Sequence, residues 1–187
     1  MYSILPGDEN LALRQVAHEI PERDIPSEKI RGLISEMKRL LSKEEYGVAL
    51  AAPQVGEPLR LFIVSGKAIA KRKRAEEKHD DLGKESEDAP EEFSTEDQVY
   101  INPVLLKMSR GKKGKHEGCL SIRGKWGVVP RAEKATLRAY DDEGKQFTRG
   151  ASGFLAHIFQ HEMDHLDGIL YTDKADEIFD EEENLKK

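Results

Sequence analysis

Two histidines one helical turn apart carry the clearest chemical signal in the sequence. His161 and His165 stand at positions i and i+4, so on a helix they point from one face and can bind a single metal ion through imidazole nitrogens. Glu162 adjoins the first histidine, where a carboxylate can take a proton from a water molecule that the metal activates. The segment predicts a hydrolytic metal site. In the alternative, these are hydrogen-bonded core residues, which would bury three polar groups without a metal at considerable cost.

A third protein ligand usually completes a catalytic metal site and leaves one position for water. A metzincin would place a third histidine where Tyr171 stands, and a thermolysin-like enzyme would use a downstream glutamate such as Glu177, which lies in an acidic tail. Both protease interpretations are weakened. The remaining strong ligand is Cys119, and the preceding Gly118 lets the backbone pass close to a metal.

Hydrophobic periodicity predicts the elements that position these residues. The stretch from Phe154 to Leu166 is apolar on several sides, which predicts a buried helix that stops at Gly168. A one-faced amphipathic helix begins after Ser27 and ends before Gly47. Strands are predicted over residues 59–64, 99–106, 128–129 and 135–140. Strands that precede a late buried helix indicate the α+β class.

The chain length of 187 residues predicts one domain spanning residues 1–187. Its charged fraction of 35% is high beside an apolar fraction of 37%, so part of the chain is expected to be solvated segment. Residues 66–98, first basic and then acidic, are interpreted as a mobile charged insertion, or alternatively as a docking loop for a charged partner. Residues 173–187 form an acidic tail that we expect to fray at the surface.

Charge and cysteine usage exclude several classes of protein. A net charge of -6 argues against general nucleic-acid binding. No apolar run approaches the roughly 18 residues of a membrane span, and the first residues lack the layout of a signal peptide. The lone Cys119 excludes an internal disulfide and fits a reducing compartment. We therefore expect a cytoplasmic protein with no membrane partner and no specific nucleic-acid partner.

Three ordered motifs make the chain resemble the peptide deformylase family. The first covers residues 47–54 (GVALAAPQ), the second residues 117–121 (EGCLS) and the third residues 160–166 (QHEMDHL). The similarity extends over residues 4 to 172, apart from the charged insertion. It implies a deformylase-like α+β fold, with antiparallel or mixed β-sheets around a central buried helix that carries both histidines.

The resemblance also implies a reaction and a set of functional residues. Members of the family hold ferrous iron, replaceable by zinc, nickel or cobalt, and the matching ligands here are Cys119, His161 and His165. The implied reaction removes the formyl group from the N-terminal formyl-methionine of newly made polypeptides. Glu162 would transfer the protons, and the developing oxyanion would be stabilised by the side-chain amide of Gln54 and the backbone N–H of Leu120.

A substrate peptide is expected to bind as an added strand along the segment Val48-Ala49-Leu50, with Gly118 on its path. By motif position, the residues around the methionine side chain would be Val48, Phe154, His157 and Ile158. His157 stands four residues before His161. A hydrogen-bonded neighbour of the site is the alternative interpretation of this third histidine.

The sequence departs from the family pattern at three places. Ala49 replaces a usual glycine, so its methyl group would crowd the peptide or restrict the backbone to negative φ. Residues 122–127 differ from the usual run, and Trp126 within them either rims the groove or covers the surface. Some bacterial members dock on the ribosome through a basic C-terminal helix, which this acidic tail does not resemble.

Two other functions compete with an active deformylase. The same site would serve a metallopeptidase or deacylase that cleaves another amide. Alternatively, the chain is a non-catalytic deformylase-like protein that binds formylated peptides or a partner of the charged insertion. The presence of every ligand together with Glu162 argues against the second alternative.

Overall fold

The computed structural model describes residues 2–72 and 95–180. These residues confirm the predicted α+β class. The helices are α1 (Glu28–Leu41), α2 (66–72) and α3 (Gly153–Leu166). The strands are β1 (Ala49–Ala51), β2 (Leu61–Val64), β3 (Gln98–Met108), β4 (Lys112–Cys119), β5 (Ile122–Ala132), β6 (Lys134–Tyr140), β7 (Gln146–Ser152) and β8 (Glu177–Asp180).

The strands form two antiparallel sheets. The larger sheet has the strand order β1-β2-β3-β6-β7, and the smaller sheet has the order β4-β5-β8. Each pairing between neighbouring named strands is antiparallel. Within the described residues, β1 and β4 therefore lie at sheet edges, each with one side free of a named strand.

Strand β2 separates the two halves of the core. All four of its residues are buried, because successive side chains point to opposite faces and both faces are covered. Phe62 packs in the apolar cluster beside α3, where its ring stacks on Tyr100 at 4.7 Å between centroids. Ile63 packs on the other face, in the cluster that contains Met37 of α1. The site helix is thus held against one face of the larger sheet.

Both predicted helices are confirmed, with local signals at their ends. Ser27 caps α1 by accepting a hydrogen bond from the backbone N–H of Ile30 at 3.4 Å. Helix α3 ends at Leu166, ahead of Gly168, which has a φ of 74°. A Cβ atom on Gly168 would lie 3.1 Å from backbone atoms of Gln15, so glycine both ends the helix and admits the N-terminal segment.

Strands β2, β3 and β6 match the predicted strands, and β5 contains the predicted residues 128–129 but is much longer. Strands β1, β4, β7 and β8 were not predicted. The tail differs from the expectation of a frayed segment, because its first part forms β8. Phe179 of β8 pairs with Trp126 of β5 and contacts the ring of His116 at 5.8 Å between centroids. Residues 181–187 of the tail lie outside the described residues.

The two ends of the segment 66–98 meet at one point. Gly66 approaches the backbone of Glu96 so closely that a Cβ atom on residue 66 would overlap the backbone carbonyl oxygen of Glu96. The N–H of Gly66 also donates to Oδ1 of Asp97 at 3.3 Å. Residues 73–94, which hold most of the predicted charged insertion, lie outside the described part of the chain. Among the described residues, no helix combines the length and apolarity needed to cross a membrane.

Candidate metal centre

Helix α3 presents His161 and His165 to the thiol at the end of β4. Sγ of Cys119 lies 3.4 Å from Nε2 of His165. One ligand atom from each of the three residues lies within 4.8 Å of the others. With metal–sulfur bonds of about 2.3 Å and metal–nitrogen bonds of about 2.0–2.1 Å, tetrahedral ligand atoms lie roughly 3.5 Å apart. The three side chains therefore fit one metal ion after a small inward movement.

A tight hairpin turn places Cys119. Cys119 pairs with Ile122 across the two-residue turn formed by Leu120 and Ser121. The carbonyl of Ser121 accepts a hydrogen bond from the backbone N–H of Gly7 at 2.7 Å. This hydrogen bond to the N-terminal segment holds the turn in place. The turn adjoins the Cys119 thiol and contains the backbone N–H of Leu120, which is predicted to stabilise the oxyanion.

Gln54 lies beside this turn, in a short 3-10 helix that directly follows β1. Its Oε1 atom accepts the backbone N–H of Ala51 at 2.8 Å. Its Nε2 atom lies 3.5 Å from Sγ of Cys119 and 3.4 Å from Oγ of Ser121. Gln54 therefore links the edge of the larger sheet, through its Oε1 atom, to the hairpin turn of the smaller sheet, through its Nε2 atom.

The ligand side chains interact strongly with one another. Burial raises the pKa of the Cys119 thiol, but His165 and His161 beside it outweigh this effect and lower it well below its ordinary value. Burial lowers the pKa of His161, but hydrogen bonds to Cys119 and Glu117 raise it well above its ordinary value. The lowered pKa of Cys119 favours its thiolate form, which is the form that binds a divalent cation.

Glu162 is buried next to the ligands, with 3% of its surface exposed. Its Oε2 atom has no hydrogen-bond partner among the described residues. Burial raises the pKa of this carboxyl, although His161 and His165 partly oppose the effect. A carboxylate in such surroundings is suited to accept and return a proton.

A buried network of charges supports the ligand helix. Oε1 of Glu117 accepts the Nε–H of Arg131 at 2.6 Å, and Oε2 of Glu117 lies 2.8 Å from Nδ1 of His161. Arg131 also donates to Asp164 at 2.6 Å, and Asp164 accepts a hydrogen bond from Lys174 at 2.6 Å. Burial raises the pKa of Glu117, but its donors, Arg131 first among them, lower it well below its ordinary value.

Three of the four residues predicted around the methionine side chain lie in one apolar cluster. Ile158 is a buried member of it, and Val48 and Phe154 pack against it while partly exposed. His157 instead directs Nε2 to Oε1 of Glu117 at 2.8 Å. His157 therefore makes a hydrogen bond of the kind that its alternative interpretation predicts. The methionine pocket formed by all four residues stays a prediction.

Two departures from the family pattern have a local explanation. Ala49 is a buried member of the same apolar cluster as Ile158. Asn102 is the only non-glycine residue with positive φ in the described ranges, so Ala49 has an ordinary backbone conformation. The ring of Trp126 lies 3.4 Å from where a Cβ atom on Gly118 would stand. Trp126 thus covers Gly118 on one face, and a side chain at residue 118 would be tightly packed.

The sequence interpretation assigned no role to Glu117, Arg131, Asp164 or Lys174. Asp164 could have indicated the buried charge network from the sequence, because a carboxylate inside a helix that is predicted to be buried needs a charged partner. Leu50 and Leu120, both predicted for the site, pack in or against the cluster beside α1.

A buried carboxylate beside three converging metal-binding side chains is the arrangement of a metal-dependent hydrolase. A family model for polypeptide deformylases matches residues 1–180. The chain is 38% identical over 162 residues to peptide deformylase 1A, chloroplastic/mitochondrial, of Arabidopsis thaliana, over 87% of this chain and 57% of that protein. It therefore spans little more than half the length of the Arabidopsis relative.

Two further relatives match over most of their length. The peptide deformylase of Desulforudis audaxviator is 36% identical over 172 residues, which cover 91% of this chain and 92% of that protein. A crystal structure of a peptide deformylase from Legionella pneumophila has a TM-score of 0.71 at 32% identity, over 93% of this chain and 85% of that one. The chain belongs to the polypeptide deformylase family, which removes the N-terminal formyl group from new polypeptides.

Proposed function

We propose that this chain deformylates N-formylmethionyl peptides at the site formed by Cys119, His161, His165 and Glu162. One observation carries the assignment of this site. The Nε2 donor of Gln54 lies 3.5 Å from Sγ of Cys119, so a neutral hydrogen-bond donor stands beside the metal-binding atoms. Such a donor is what a developing oxyanion requires, and the two histidines and the glutamate alone would not supply it.

The residues divide the chemistry among themselves. Glu162 accepts the proton of the attacking water and later delivers it to the departing amine nitrogen, which leaves formate as the second product. The Nε2–H of Gln54 and the backbone N–H of Leu120 donate to the oxyanion that the formyl oxygen becomes when water adds to the formyl carbon. A divalent metal, when bound, polarises the formyl carbonyl and makes water a better nucleophile at neutral pH.

The substrate peptide would bind between the edges of the two sheets. The free side of β1 offers main-chain groups to a strand added along the segment Val48-Ala49-Leu50. Gly118 lies on the opposite edge, in β4. The apolar cluster below this groove would receive the methionine side chain at Val48, Phe154 and Ile158.

We propose Fe2+ as the native metal, with Zn2+, Ni2+ and Co2+ as replacements. One thiolate and two imidazoles suit both iron and zinc, so the ligand set supports a divalent transition metal without choosing between them. We further propose a cytoplasmic location, because a free thiolate ligand needs a reducing compartment. Ribosome contact through a basic C-terminal helix is not part of the proposal, because residues 173–187 are acidic and Glu177–Asp180 form the strand β8.

Deformylation of formyl-Met-Ala-Ser by protein purified without oxygen tests the proposal. Metal analysis of the same sample identifies the ion, and loss of activity in air would identify iron. Release of formate from this peptide, with no cleavage of acetyl-Met-Ala-Ser, supports a deformylase. Cleavage of an internal bond in a longer peptide would favour the metallopeptidase, and tight binding without turnover would favour the non-catalytic protein.

Deletion of residues 73–94 tests the predicted insertion separately. Ile69 is kept in this variant because it is buried in the cluster beside α3. Retained turnover would show that the charged segment is dispensable for chemistry. Lost turnover in a folded variant would instead favour a role for the segment in binding.

A further inference from the structure

The carboxylate of Glu117 contacts two histidines that stand one turn apart on helix α3. Its Oε1 atom lies 2.8 Å from Nε2 of His157, and its Oε2 atom lies 2.8 Å from Nδ1 of His161. The guanidinium of Arg131 donates to both oxygens, at 2.6 Å and 3.0 Å. An ionised carboxylate offers about four acceptor sites, so these four hydrogen bonds use its full capacity.

Both oxygens of Glu117 accept hydrogen bonds from Arg131, and this determines which ring nitrogens of the two histidines carry protons. A carboxylate without a proton only accepts hydrogen bonds, so Nε2 of His157 and Nδ1 of His161 are both donors. In the neutral ring that a metal ion requires, Nε2 of His161 would then be the nitrogen that carries the lone pair. The orientation of Glu117 therefore decides the tautomer and the ring plane of His161.

His157 is held so that its donor cannot easily turn away. Only 8% of its surface is exposed. Its ring meets Phe154 edge to face, with centroids 6.1 Å apart and planes at 84°. Because His157 and His161 stand one helical turn apart, both rings approach the same carboxylate from α3, while Arg131 approaches it from β5.

We propose that His157 is a positioning residue for the metal site: it holds Oε1 of Glu117 so that Oε2 stays aligned with Nδ1 of His161. The proposal rests on the ligand assignment made under the proposed function but not on the identity of the substrate. It also separates His157 from the other residues predicted around the methionine side chain, because its polar atom serves the carboxylate.

Two variants separate a hydrogen-bonding role from a packing role. His157→Gln keeps an amide N–H close to the position of Nε2, whereas His157→Leu fills a similar volume without a donor. The readout is the affinity of the metal-free protein for Co2+, measured by competition with a chelating dye, together with the visible absorption spectrum of bound Co2+. Loss of an outer partner of a metal ligand typically weakens binding about 10–100-fold.

We expect His157→Leu to weaken Co2+ binding by that factor and to change the Co2+ spectrum, and His157→Gln to restore both. If His157→Leu does not fold, His157→Asn takes its place, since its shorter amide cannot reach Oε1. Wild-type Co2+ affinity and spectrum in a folded leucine or asparagine variant would overturn the proposal. Failure of Co2+-loaded wild-type protein to deformylate formyl-Met-Ala-Ser would overturn the proposed function instead, and leaves the Co2+ comparison valid.

Discussion

The Oε1 atom of Gln54 accepts the backbone N–H of Ala51 at 2.8 Å, and this bond fixes which end of the amide faces the site. With the oxygen engaged at β1, the Nε2 group points toward the hairpin turn of the other sheet. A side-chain amide presents a donor to an oxyanion only if it cannot flip. The local turn after β1 therefore positions the proposed oxyanion donor.

Replacement of Gln54 by alanine should lower kcat for formyl-Met-Ala-Ser about 10²–10³-fold, as for loss of one preorganised oxyanion donor. Metal content should stay at the wild-type level, because Gln54 is not a ligand. Steady-state kinetics on metal-matched samples check this prediction. An increase in KM alone, with kcat unchanged, would show that Gln54 binds the peptide and does not stabilise the oxyanion.

Replacement of Glu162 by glutamine should lower kcat about 10²–10⁴-fold, because the amide cannot accept the water's proton. The matched control is Glu177→Gln, since Glu177 lies exposed on β8 and is the third ligand in a thermolysin-like interpretation. The control should keep the wild-type rate and metal content. A metal-loaded Glu162→Gln protein with the wild-type rate would remove Glu162 from the mechanism.

Cys119 should be a thiolate at neutral pH in metal-free protein, because the two histidines lower its pKa well below the ordinary value. Since its pKa is lowered, the thiol should lose its proton at a lower pH than an ordinary thiol does. Its ultraviolet absorbance against pH measures this directly. We also expect alkylation by iodoacetamide to be fast without metal and suppressed with Co2+ bound; an ordinary thiol titration above pH 8 would contradict the prediction.

Replacement of Arg131 by methionine should lower the free energy of unfolding by about 3–5 kcal/mol, because it leaves Glu117 buried without its main partner. The surface pair Arg123–Glu44, in which the arginine side chain is 66% exposed, provides the control. Arg123→Met should cost less than about 1 kcal/mol. Urea unfolding of the metal-free proteins checks both values, and equal losses would show that the buried network contributes no more than a surface pair.

The same network predicts how stability depends on pH. The folded-state pKa of Glu117 is lowered, so its contribution is present above its unfolded value of about 4.3 and is lost as the pH falls toward the folded pKa. The free energy of unfolding of metal-free protein should therefore decrease as the pH drops below about 4. In Arg131→Met this decrease should be smaller, which denaturant titrations between neutral and acidic pH would measure.

Helices α1 and α3 and the strands β2, β3 and β6 of the large sheet were predictable from the sequence because their apolar residues repeat at regular spacing. Helix α2 was not, because residues 66–72 were interpreted as the start of the charged insertion. Strand β4 was not, since Lys112, Lys113, Gly114 and Lys115 offer no alternation and pair only because β5 lies beside them. The ligands followed from motif spacing and chemistry. The role of Glu117 did not, because its donors stand 14, 40 and 44 residues away in the sequence.

The two exposed sheet edges between which the peptide is proposed to bind have a consequence for solubility. An exposed edge strand is a template on which another molecule's sheet can grow and aggregate. Here β1 is three residues long and is followed by Pro53, which has no N–H to donate. The β4 edge carries the charges of Lys112, Lys113 and Lys115. These two edges would bind one short peptide, as proposed. Their short length, proline and charges disfavour pairing with the edge strands of other molecules, which leads to aggregation.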